Sequence, residues 1–259
     1  MAKLIGAFLR LNLQQSLAYR ADTFVNLLLV VFGVGFDLIS LSIIFSNTSS
    51  INGWRAGDLI ALLGVFRLLN VLMFTIIWPN TEEFNRSVRE GTLDYTFLLP
   101  ANSQLLVTIR RMMLWRVFDL IVAIVLIVSG LNMAGNTATM ASILTFLLLV
   151  MTGGVAIYSL WIMLLALTFW FTKFDNNVTL MHALTDTGRF PATVYPTWLR
   201  VLVTYVVPIA LATTIPLQAL RGELAWWEVL IYVGVSVIAF SLARRLWIAG
   251  TKKYSGASS

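Results

Sequence analysis

The sequence contains no cysteine, which removes disulfides, thiolate nucleophiles and cysteine-ligated metals from consideration. Its one histidine, His182, cannot assemble a metal site alone. Charged residues make up only 12% of the 259, about half the share found in a soluble domain. There is no Gly-x-x-x-x-Gly-Lys-Ser/Thr phosphate loop, no Gly-x-Ser-x-Gly, no His-Glu-x-x-His and no carboxylate cluster at metal spacing. No cofactor or metal is therefore expected on this chain, and no catalytic constellation. Any chemistry that drives it has to be supplied from outside.

What is abundant is apolar sequence. Hydrophobic residues reach 59%, and runs of about 20 of them recur, the length that crosses about 30 Å of hydrocarbon. The expected fold is an all-α polytopic membrane protein with six transmembrane helices. Residues 1–21 are expected to form an amphipathic interfacial helix, with Lys3, Arg10 and Gln14 on one face and Leu4, Phe8 and Leu11 on another. Spans are placed at about 23–45, 57–78, 114–133, 140–171, 177–195 and 226–248. Gly153-Gly154 marks a kink or a close-packing point in the fourth. Trp54, Trp78, Trp115, Trp170, Trp226, Trp227 and Trp247 fall at proposed span ends, where interfacial indoles belong.

Net charge is +6, and its distribution explains it. On this topology 13 of the 18 Lys and Arg residues lie on one side, among them Arg86, Arg89, Arg110, Arg111, Arg244, Arg245, Lys252 and Lys253. The positive-inside rule makes that side cytoplasmic, with both termini on it. The basic balance is topological, and no nucleic-acid partner is implied. Termini on one side demand an even number of crossings, so of 177–195 and 198–219 one must fail to cross. Pro191, Pro196, Pro208 and Pro216 make 196–220 the better re-entrant candidate, provided protein shields its backbone from lipid.

Ionisable residues inside hydrocarbon are functional candidates by default. Asp37 and Arg67 fall at similar depth on adjacent antiparallel spans and are expected to pair, with Asn70 nearby. Asp119 lies three residues from Arg116, and Asp186 three from Arg189, so each has a partner one helical turn away. The pairs read either as packing devices or as parts of a substrate path.

The longest polar segment, 79–113, lies between the second and third spans. Arg89-Glu90-Gly91-Thr92-Leu93-Asp94-Tyr95, then Leu98-Leu99-Pro100, resembles the cytoplasmic connector of type-2 ATP-binding-cassette (ABC) export permeases. The tail Trp247-Ile248-Ala249-Gly250 with Lys253-Tyr254-Ser255-Gly256 resembles that of a compact bacterial six-span branch, as do Ala18-Tyr19-Arg20-Ala21 and Tyr195-Pro196. The likeness covers nearly the whole chain, carried by short motifs in a shared order.

The resemblance implies a permease subunit in the bacterial inner membrane, paired with a second permease (itself or a relative) and with a separate ATPase subunit that holds ATP and Mg. It implies that 177–195 is the fifth crossing. It also implies a coupling helix in which Glu82, Glu83, Arg89, Glu90 and Asp94 contact the ATPase, Gly91 turns and Pro100 stops. Spans this apolar suit an amphipathic or lipid-like cargo. The competing reading is an ion-coupled secondary carrier using Asp37, Asp119, Asp186 and His182.

Overall fold

The computed structural model describes residue 14 and residues 20–99, 102–113, 116–171 and 177–254. The interfacial helix expected over 1–21 lies outside these residues apart from Gln14 and the opening of the first long helix. Pro100 and Trp115 lie outside them altogether. Among the described residues the chain is helical, without a strand and with one isolated bridge, Ile51 to Trp54.

Helix α1 is Arg20–Ser46 and α2 is Ala56–Arg89. Short α3 (Leu93–Phe97) and α4 (Ser103–Ile109) lead to α5, Val117–Ala134, and α6, Met140–Leu167. Helix α7, Asn177–Asp186, precedes a bent pair, α8 (Thr197–Val206) and α9 (Ile209–Leu220), and α10, Trp226–Lys253, closes the chain. Four of these, α1, α2, α6 and α10, are long and apolar enough to cross a bilayer.

Local chemistry sets the boundaries. Asp58 accepts the Arg55 backbone N–H at 2.9 Å, and Glu228 accepts that of Ala225 at 2.8 Å, each closing the first turn of its helix. Thr139 caps α6 by accepting the Ser142 N–H. Helix α2 was expected to end near Trp78. It instead continues through a π-helical turn, Met73–Ile77, to Arg89, so the first third or so of the connector is a helical extension of the second span. Proline at 79 is tolerated there because the wider turn loosens the hydrogen-bond ladder just before it.

Lipid provides no hydrophobic drive between helices, so small residues set the packing. Helices α2 and α5 approach closely at Gly130, where a Cβ would stand 2.3 Å from the Ala61 nitrogen. Helix α6 runs unbroken through Gly153-Gly154. Of the two readings of that pair, close packing holds, since a Cβ on Gly153 would meet the Leu211 carbonyl of α9 at 2.4 Å. Two tryptophans expected at interfaces are core residues instead. Trp54 donates to Thr193 Oγ1 at 2.9 Å and Trp247 to Ser103 Oγ at 3.1 Å, so both indole N–H groups are satisfied by protein. Trp226 and Trp227 are exposed.

The stretch 177–195 is not the single helix expected of it. Its α-helix covers ten residues, about 15 Å. A 3-10 turn, an extended Phe190-Pro191 and a second 3-10 turn follow. Even so it runs the length of the bundle. His182 packs 4.1 Å from Trp78, Arg189 lies over Phe66, and the Thr193 carbonyl receives Asn52 Nδ2 near the opposite end of α2. Pro191 bars a continuous helix, and the freed backbone groups find side chains. The Ala192 N–H donates to Thr214 Oγ1 at 3.0 Å, Arg200 Nε donates to the Ala192 carbonyl, and Tyr195 Oη donates to the Thr187 carbonyl. Helices α8 and α9 meet at 68° around Pro208, and Arg200 and Arg221 hold both outer arms at the same end, against Thr193 and Asp58. The inner arm, Ile209 to Leu217, is buried.

Two stability outcomes follow. Gly130→Ala is expected to destabilise the detergent-solubilised protein by about 1–3 kcal/mol through overpacking, whereas Gly234→Ala, with nothing near its added methyl, leaves thermal unfolding unchanged or slightly raised. Thr214→Val removes the acceptor for the Ala192 N–H and is expected to lower stability by about 1–3 kcal/mol. An unshifted melting curve for it would mean that the unwound backbone does not depend on this side chain.

Candidate functional site

Two places concentrate the polar residues nominated from the sequence. The first is the connector, at the end of the bundle that carries Arg86, Arg89, Arg110 and Arg111. Helix α2 stops there by a glycine closure. Gly91 has φ +67°, its N–H donates to the Val88 carbonyl, and the Thr92 N–H donates to the Ser87 carbonyl at 2.9 Å. A side chain at 91 would strain this turn. The reversal aims α3 across the end of the bundle, burying Leu93 while leaving Tyr95 72% and Leu98 79% exposed. Leu99 is exposed as well, as are Glu82 and Arg89 on the last turns of α2 and Glu90 on the turn that follows.

The acidic residues of this segment divide by role. Glu83 is buried, with Arg86 bonded to it, Arg111 Nε at 3.1 Å and Arg110 Nη2 at 3.4 Å. It fastens the returning chain to α2 rather than facing outward. Asp94 is half-buried on the same short helix as Phe97, and Tyr254 packs edge-on against Phe97 and Phe169. Burial first, then the nearby Asp94 carboxylate, raise the Tyr254 phenol above its ordinary value, so the phenol stays protonated. Asn80 holds the same junction. Its amide donates to the Thr108 and Arg111 carbonyls and accepts the Arg111 N–H at 2.8 Å. The π turn frees the Thr75 carbonyl for the Met113 N–H.

The second place is a cavity of about 450 Å³ between α1, α2 and α7. Asp37, Arg67, Asn70, Asp186 and Arg189 all line it, and Asp119 stands behind it, bonded to the lining residue Arg116 at 3.2 Å. Arg67 Nη2 lies 2.8 Å from Asp37 Oδ2, and Arg189 Nη1 lies 3.4 Å from Asp37 Oδ1. Arg189 also reaches Asp186 at 3.6 Å. Three pairs that look independent along the chain share one wall. The Arg189 to Asp37 link, 152 positions apart, had no sequence signal, and neither did the inclusion of Asn26. The exposed apolar trio Tyr95, Leu98 and Leu99 did have one, since apolar residues stranded in a polar connector ask for a partner.

Among the described residues no group of His, Asp and Glu suits a metal ion. The chemistry available is anion contact through guanidinium groups and apolar contact through Phe36, Phe66 and Phe74. Glu83→Gln is expected to lower thermal stability by about 1–2 kcal/mol, discounted because its arginine partners reach solvent. Glu82→Gln, on the exposed face, is expected to stay within about 0.5 kcal/mol. Equal shifts in the two would contradict the division of roles.

No curated protein and no solved structure matches the chain. A family model does: that of the ABC-2 family transporter protein aligns with residues 31–258. With most of the sequence inside that match and apolar helices of spanning length, this membrane chain belongs to the ABC-2 transporter family.

Proposed function

We propose that the chain is the permease subunit of an ATP-driven exporter, moving an amphipathic or lipid-like cargo out through the bacterial inner membrane. ATP and Mg sit on a separate ATPase subunit, and two permease chains, identical or related, complete the transporter. The basic end of the bundle is cytoplasmic. Residues 177–195 serve as an unwound fifth crossing, α8 and α9 as a re-entrant pair, and the total is six. Family membership and the absence of a phosphate loop in the sequence support this division of labour.

The observation that carries the reading is the end of α2. A helix unbroken from Ala56 to Arg89 turns at Gly91 and presents Tyr95 and Leu98 to solvent. Exposed apolar side chains in a segment that also exposes Glu82, Arg89 and Glu90 have the composition of an interface core with a polar rim. A push on α3 passes into the second span because Asn80 and the Glu83 cage brace the junction across the π turn. It reaches the last span as well, through Tyr254 on Asp94 and Trp247 on Ser103. For ATP to drive transport, the ATPase must bind two permease conformations with different affinity.

The carrier alternative needs a carboxylate that exchanges protons or ions. Asp37, Asp119 and Asp186 each face a guanidinium instead, which weakens that reading.

The test is recovery of ATPase with the tagged, gently solubilised protein from its own host membranes. A phosphate-loop ATPase whose hydrolysis is measurable is expected to co-purify. Leu98→Asp or Glu90→Lys is expected to cut its recovery about tenfold while membrane insertion and thermal stability stay as in wild type. Undiminished recovery with both variants would remove the connector's role, and transport without any ATPase would return the carrier reading.

A further inference from the structure

The cavity beside α1 holds features that the exporter reading leaves unused. Asp37 is clamped between two guanidiniums from different elements, Arg67 on α2 and Arg189 just beyond α7. Both of its oxygens are engaged, so the cavity contains a preformed seat for an oxyanion, occupied by the protein's own carboxylate. Arg67 Nε is buried with no hydrogen-bond partner, and so is His182 Nε2 on the same lining. A buried guanidinium N–H without an acceptor is costly, and it points to an acceptor-rich guest. The surrounding wall is apolar, formed by Leu29, Phe36, Phe66 and Phe74. Leu29 and Phe36 belong to α1, whose side chains are largely exposed, so this wall is shared with lipid. At about 450 Å³ the space is within the range of small-molecule sites.

We infer that this cavity binds the acidic group of an anionic amphiphile, a carboxylate or phosphate on an apolar body, and that the group displaces Asp37 from Arg67 and Arg189. The inference rests on the exporter reading and names its cargo class. Guanidinium forks match carboxylate and phosphate oxygens in pairs, while the aromatic wall and the lipid-facing α1 receive the apolar body. Asp37 is a latch: it neutralises the arginines when the cavity is empty and competes with the guest when it is full. Removing its charge is therefore expected to strengthen binding, which a merely structural ion pair would not do.

The experiment uses the full chain in phosphatidylcholine nanodiscs without ATPase and measures fluorescence of dansyl-undecanoic acid and of its methyl ester. The acid is expected to bind roughly tenfold more tightly than the ester, the difference made by charge-assisted hydrogen bonds. Arg189→Gln is expected to erase most of that preference, and since Arg189 is half exposed this variant keeps the test independent of folding. Arg67→Gln is expected to erase it too, and Asp37→Asn to tighten acid binding several-fold with the ester unchanged. Displacement of the acid by added phosphatidylglycerol places the acidic group on a membrane lipid, and persistence against it places the group on a single-chain amphiphile. Displacement by inorganic phosphate alone overturns the amphiphile. Equal affinity for acid and ester, or no gain in Asp37→Asn, overturns the site. Because no ATPase is present, these outcomes stand apart from the co-purification test, which reads the connector and not the cavity.

Discussion

Hydrocarbon supplies no hydrogen bonds, and that constraint orders this structure. Each backbone N–H and C=O at membrane depth must be met from within the chain. Long helices are the inexpensive solution, and α1, α2, α6 and α10 adopt it. Where proline forbids it, other groups take over. Around Phe190-Pro191 the partners are Thr214, Arg200 and Tyr195, and the buried inner arm of the bent pair lies against Gly153 of α6. At Ala192 and Thr187 the irregular backbone is met by side chains of the same chain, and polar side chains gather there.

The same economy governs charge. An isolated ionised group in the bilayer is expensive, and here the mid-depth acids face arginines. The arrangement does more than cancel charge. Asp37 joins α1, α2 and the 3-10 turn after α7 in a single contact, and α1 has few other attachments, with most of its apolar side chains exposed. A guest that takes the place of Asp37 would loosen α1 from its neighbours. Under the proposed site, occupancy and helix position would be linked by one exchange of ion pairs.

At the basic end the device is mechanical. Glu83, Asn80 and the glycine closure at Gly91 make the connector a rigid corner of the second span. Tyr254 and Trp247 bind the same corner to the final span. The tail motif and the connector motif meet in space: the Tyr254 ring packs edge-on at 5.6 Å against Phe97, on the same short helix as Asp94. Seven helices lie between them along the chain, yet they pack as one joint.

Composition and hydropathy alone determined that this is a helical membrane chain, because runs of apolar residues have few other stable homes. Charge placement and the order of short motifs pointed to its family. The Asp37 and Arg67 contact was legible too, since antiparallel neighbours with polar residues at equal depth must meet. Other features were set by contacts distant in sequence, which no local pattern encodes. A continuous fifth helix was a fair reading of apolar residues, yet Pro191 and the hydrogen-bond donors and acceptors of distant side chains unwound it. Interfacial tryptophans were a fair reading of position, yet Trp54 and Trp247 found buried oxygens to donate to. Glu83 read as an outward contact until three arginines enclosed it. The convergence of Asp37, Arg67, Arg116, Asp186 and Arg189 on one cavity was decided only by tertiary structure, because burying charge requires partners to be found in space, whatever their separation along the chain.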